Sequence, residues 1–362
     1  MKNIVILLMP LFLITACKSF KHKEESRKIS FEIHQGTEFL ITAFNLAVEE
    51  EISDEYKPCE TAYTKRIAEH FEPFKKHPFI KYIYDEVYSG TDFASVGLLI
   101  TDFETMTLNP NIETDLIKSK IYSDDIEKFK KLALSFYKES KFKSFFNQNK
   151  AYYNTATAHI QKQVEKDSLF NQIKDYYQDS RAGLEFKAFV ELTNNNESQA
   201  VDFYDNYNPN VRAITLGNFC ELSTKSTPQN EILDLNSYQT ILCHEISHLY
   251  TTSVFLDKYI GNINDFKPLF DKKISEAQLK DQVDHYIIFP LQGIFMKKLY
   301  NNMEMDDIFR NKVKDVRRDI YLHLSKYDPK GTMSFEKYYK ECIELIRDSA
   351  KEKNISNMVL SK

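Results

Sequence analysis

Gln239-Thr240-Ile241-Leu242-Cys243-His244-Glu245-Ile246-Ser247-His248-Leu249-Tyr250 carries two histidines four residues apart, with a glutamate after the first. On an α-helix, positions four apart share a face, so His244 and His248 can direct two imidazoles at one ion. In a His-Glu-x-x-His helix the imidazoles hold Zn²⁺, and the carboxylate takes a proton from water that the ion has made acidic. Glu245 is thus the expected general base. Asp234, Asn236 and Ser237 offer N-caps ahead of the stretch, and Ile241, Leu242, Ile246, Leu249 and Val254 supply an apolar side at helical spacing. An ordinary amphipathic helix with two unrelated histidines would satisfy the same periodicity, so the surrounding chain has to separate the two readings.

Just upstream, Leu184 to Leu192 alternates apolar and polar residues as a half-buried strand does, Thr193-Asn194-Asn195-Asn196 reads as a turn, and 200–207 and 211–219 are further strands. Before Gly183 the texture is helical: after a short strand at 28–33, helices are predicted over 37–52, 60–71, 77–88, 93–100, 124–137 and much of 141–179. With 8 Gly and 10 Pro in 362 residues, turns are few and helix should dominate. The expected fold is α+β, mainly helical, with a small mixed sheet packed against the metal-motif helix. Two parts are expected, a helical one over 29–180 and the metal-site part over 181–362. Strands followed by a metal-motif helix is the layout of zinc peptidases of the zincin type, in which an edge strand can pair with an extended peptide. His70 and His77 read as solvated or capping residues, and His323, between C-terminal packing helices at 306–327 and 335–351, as a surface residue.

Residues 1–16 have the form of a signal peptide, with Lys2 followed by the apolar run Ile4 to Ile14. Leu13-Ile14-Thr15-Ala16-Cys17 resembles the bacterial lipobox, which implies cleavage before Cys17 and lipid on its thiol. Residues 17–28 then form a charged tether, and the chain is expected at the bacterial cell envelope, held to a membrane by acyl chains. The formal charge of −5 becomes −6 once Lys2 leaves with a segment containing no acid, and no long basic run exists, so nucleic acid is not an expected partner. Cys59, Cys220, Cys243 and Cys342 match no zinc-ribbon spacing; one or two disulfides and buried free thiols both remain open.

A catalytic zinc site takes three protein ligands and keeps one open position. The next helix, near Ser275 to Leu299, offers Glu276, Asp281, Asp284 and His285. Four segments together resemble an uncharacterised bacterial family of exported, metallopeptidase-like domains with a His-Glu-Phe-Ser-His-type helix: Phe71-Glu72-Pro73-Phe74-Lys75-Lys76-His77-Pro78, Leu216-Gly217-Asn218, His244 to His248, and Val283 to Lys298. The resemblance covers about residues 29–300 and is most specific at the motif helix. In that family the last segment reads Asn-Glu-Tyr and its Glu is the natural third ligand. Here Asp284-His285-Tyr286 stands in its place, and the Glu position falls on His285. The resemblance therefore implies a three-histidine zinc site of His244, His248 and His285, with Asp284 second choice for the third ligand and Glu276 third. It further implies a membrane-anchored zinc hydrolase acting on a peptide or protein, the alternative being an inactive envelope lipoprotein that binds or scaffolds.

Overall fold

The computed structural model describes residues 29–49, 60–87, 91–112, 117–118, 121, 125–178, 185–195, 198–201, 211–218, 235–270 and 274–360. The expected signal peptide, Cys17, the tether, Cys59, Cys220, Asp234 and the strand reading at 202–207 lie outside the described residues. The architecture is α+β and mainly helical, with a four-stranded mixed sheet and a separate two-stranded one.

β1 (Ile29–Glu32) opens the described chain, followed by helices α1 (Gln35–Val48), α2 (Ala62–Phe71) and α3 (Phe93–Leu99). β2 (Ile100–Asp102) and β3 (Thr107–Leu108) form the small hairpin sheet. Next come α4 (Ile126–Glu139), α5 (Phe142–Gln148), α6 (Lys150–Asp167) and α7 (Leu169–Tyr176), then β4 (Glu185–Asn195), β5 (Ser198–Val201) and β6 (Val211–Asn218). The principal sheet has the order β1-β4-β6-β5; β1 and β6 run parallel to β4, and β5 is an antiparallel edge strand on β6. Ile29 pairs with Phe186, so this sheet draws strands from both sides of residue 180.

The sheet carries the motif helix. α8 (Leu235–Thr251) packs on β5 and β6, and α9 (Glu276–Tyr300) packs on α8. Leu242, Cys243, Ile246, Leu249 and Tyr250 bury the inner side of α8, while the Tyr238 hydroxyl donates to the Gly217 carbonyl at 2.9 Å and ties the helix to the end of β6. α9 begins at a capping box: Gln278 N–H donates to Ser275 Oγ (3.2 Å) and Ser275 N–H to Gln278 Oε1 (3.0 Å). α10 (Val316–Leu324) and α11 (Phe335–Leu360) complete the fold.

The core is aromatic. Phe39 meets Phe142 at 5.1 Å and Tyr137 at 5.4 Å in edge-on contacts, and Phe71, Phe79, Phe136 and Phe145 extend the cluster. α1 and α3 cross closely enough that a Cβ on Gly97 would lie 2.4 Å from the Thr37 nitrogen.

Several expectations need correction. β4 is buried on both faces from Ala188 to Thr193, because it is a central strand with parallel neighbours and helices against it. It continues to Asn195, where a turn was expected; the pairing slips between Glu191 and Asn195, and this irregularity absorbs the extra residues before Asn195 meets Asn218. The 141–179 region is three helices. Asn149 sits at the first break, donating from Nδ2 to the Phe145 carbonyl (2.9 Å) and accepting from Arg66 Nε (2.8 Å); Ser168, at φ 51°, makes the second. The 306–327 helix is likewise interrupted, and Asp315 caps its second piece by accepting from Arg317 N–H. His323 is half-buried, with Nε2 3.0 Å from Glu341.

Candidate metal centre

Three imidazoles, from His244 and His248 on α8 and His285 on α9, place donor atoms within 4.8 Å of one another. The Nε2 atoms of His244 and His248 are 3.2 Å apart, and those of His244 and His285 are 3.3 Å apart. A tetrahedral ion bonded to nitrogen at about 2.0–2.1 Å sets its ligands about 3.4 Å from one another, so both separations match one coordination edge.

The outer nitrogens decide which tautomer each ring adopts. His248 Nδ1 lies 2.7 Å from Asp284 Oδ2. His285 Nδ1 lies 2.8 Å from the Asp281 carbonyl, which can only accept. His244 Nδ1 lies 3.4 Å from Gln292 Oε1, and the amide of Gln292 is oriented by its Nε2, which donates to the Thr240 carbonyl at 3.4 Å. Each Nδ1 thus faces an acceptor, an arrangement that favours a proton on Nδ1 and leaves Nε2 turned toward the other rings. At these distances a proton or a cation has to lie between facing nitrogens to offset the repulsion of their lone pairs. The residues fit a divalent ion with an affinity for imidazole.

Electrostatics agree for His244. Burial, reinforced by His248 and His285, draws the His244 pKa down to about 3, so this ring is neutral at physiological pH. For His248 burial acts in the same direction, but the hydrogen bond and charge of Asp284 outweigh it and the pKa is raised. Glu245 is buried, which lifts its carboxyl to about 7 against the opposing pull of His248 and of a hydrogen bond donated by the Ala200 backbone. That bond joins the carboxylate to edge strand β5.

Asp284, weighed in the sequence as a ligand, stands behind the centre. Its fully buried carboxylate accepts from His248 and Thr252 at Oδ2, and from Tyr339 (3.2 Å) and Thr251 (3.4 Å) at Oδ1. It orients the His248 ring through its hydrogen bond. Glu276 is exposed in the first turn of α9, 3.5 Å from Asn264 Nδ2, and does not join the cluster. Cys243, next to His244, is a buried free thiol raised far above its usual pKa by burial and turned into the core; Cys342 is likewise free and buried. Tyr250 is stacked on Tyr177 at 4.3 Å inside the core, and Tyr286 packs edge-on against Phe270 at 5.7 Å with Arg317 over its ring. His77 accepts from Phe79 N–H at 3.0 Å as the cap of the Pro78–Tyr82 helix, and His70 bonds the Ser140 carbonyl at 2.8 Å.

Sequence reasoning passed over Gln292, Thr252, Tyr339 and Phe289. Phe289 packs its ring 5.2 Å from that of His244 and 5.3 Å from that of His285. Phe289 and Gln292 were legible in principle, lying four and seven residues after His285 and therefore on the same side of α9. Among the described residues, no helix is long and apolar enough to cross a membrane. Compared with protein-family models, with curated proteins and with solved structures, the chain matches none.

Proposed function

We propose that the chain is a zinc-dependent hydrolase, a metallopeptidase, anchored at the bacterial cell envelope through lipid on Cys17. The observation that supports the reading is the gathering of three imidazoles within 4.8 Å, with the His244 Nε2 at coordination-edge distance from the other two and a hydrogen bond behind each ring. Zinc, when bound, supplies Lewis acidity that polarises a carbonyl and lowers the pKa of water. His244, His248 and His285 would hold it, three protein ligands being the number that leaves a position open for reaction.

The remaining chemistry belongs to Glu245. Its carboxyl, lifted by burial to about 7, is a stronger base than an exposed glutamate. It removes a proton from the attacking water and returns it to the amide nitrogen as the C–N bond breaks, so one water is consumed and a carboxylate and an amine are released. Asp284 holds His248 in the tautomer that presents Nε2. β5, the edge strand among the described residues and bonded to Glu245 through Ala200, would lie beside an extended peptide.

The test is hydrolysis of unstructured peptides by the zinc-loaded chain and by Glu245→Gln. The variant should keep its zinc and lose at least about a hundredfold in rate, the scale of a general base; a chelator should abolish activity and added zinc restore it. Zinc-loaded chain that cleaves nothing would contradict the enzyme reading and favour an envelope lipoprotein that binds without turnover.

A further inference from the structure

We propose that Phe289 is a specificity residue, its exposed ring being the apolar wall on which an aromatic or large aliphatic side chain of a peptide rests beside the bond to be cut. This rests on the metallopeptidase reading above. Among the phenylalanines of the described residues Phe289 alone is exposed, at 40%. The other described phenylalanines and tyrosines are buried or half-buried, and this exception lies against two of the three imidazoles, at 5.2 and 5.3 Å. An exposed ring needs no explanation by itself. Its position does, because the exposed part of the ring lies beside the imidazoles that would hold the ion, where a peptide at the centre would pass.

Reach narrows the occupant. An extended chain advances about 3.3 Å per residue, so only the side chains flanking the reacting bond fall within contact of a ring this close to the imidazoles. The nearby polar groups are already engaged: Gln292 with His244 and Thr240, and the Asp281 carbonyl with His285. What Phe289 has left to offer is a ring edge and face, which reward another ring or a large aliphatic group.

The chain contains no tryptophan, so the emission of a Trp-tagged peptide reports binding without background. Two alanine-based hexapeptides, identical except for Phe or Gly beside the central bond and each tagged with Trp at one end, are titrated into the full zinc-loaded chain carrying Glu245→Gln to prevent turnover. Adding Phe289→Ala should weaken the Phe peptide about tenfold, leave the Gly peptide within about twofold and leave zinc content unchanged, with Phe289→Leu intermediate. Equal weakening of both peptides, or of neither, overturns the proposal while the metal reading stands. Loss of zinc from Phe289→Ala also overturns it, since the ring would then be packing for the imidazoles. If neither peptide binds the zinc-loaded parent, the metallopeptidase reading fails and this proposal with it.

Discussion

The His248 ring is held from behind by a carboxylate that has no other exit: Asp284 is fully buried, and His248, Thr252, Thr251 and Tyr339 all donate to it. A carboxylate in that position makes imidazole a better electron donor and fixes which nitrogen is free. Asp284→Asn keeps the shape and removes the charge. Its zinc affinity should fall about tenfold or more in competition with a chromophoric chelator, with the circular dichroism of the helices unchanged; an affinity within about twofold of the parent would deny Asp284 this role. At this scale spacing alone placed His244, Glu245 and His248 on one helix, with the two imidazoles together. It could not place Asp284 behind the His248 ring, because a carboxylate on that helix can face several ways and only the fold sets its 2.7 Å distance to His248. The third histidine was reached through a resemblance, since a lone His on a helix has no spacing to read.

Among the elements, α1 and β4 are joined by a buried acid. Glu38 is fully buried, accepts from the Tyr63 hydroxyl at 2.9 Å and from Leu192 N–H at 3.0 Å, and is lifted by burial from 4.5 to about 7. The folded state thus binds its proton more tightly than the unfolded chain does. The resulting stability is fully present below pH 4.5 and is lost as pH rises through 7. At about 1.4 kcal/mol per pH unit the loss is on the order of 3 kcal/mol. Glu38→Gln retains an acceptor for Leu192 and carries no charge, so urea unfolding at pH 5 and pH 8 should show a smaller decline for the variant than for the parent; an equal decline would rule this acid out as the cause. Element positions were largely legible, because periodicity needs only local residues. The breaks at Asn149 and Ser168 were not, since one depends on Arg66 from a distant helix and the other on a left-handed backbone at a non-glycine residue. The double burial of β4 was hidden for the same reason: alternation describes one covered face, and helices brought from elsewhere in the chain cover the other.

In the whole molecule the centre is assembled across long sequence separations. Ala200 of β5 meets Glu245 of α8, His285 of α9 meets His244, and Tyr339 of α11 reaches Asp284. β1 pairs with β4, so the N-terminal segment is built into the sheet on which α8 rests. No pattern within one segment announces such an arrangement, and for that reason the sequence could name the motif helix yet not what stands behind it. A three-histidine centre makes one demand that an accidental cluster does not. The measurement is the zinc content of purified residues 18–362, by elemental analysis after dialysis, for the parent and for His285→Ala side by side. Near-stoichiometric zinc in the parent and a sharp fall in the variant is the expected result; a parent without zinc even after reconstitution, or a variant that retains it in full, would contradict a metal held by His244, His248 and His285.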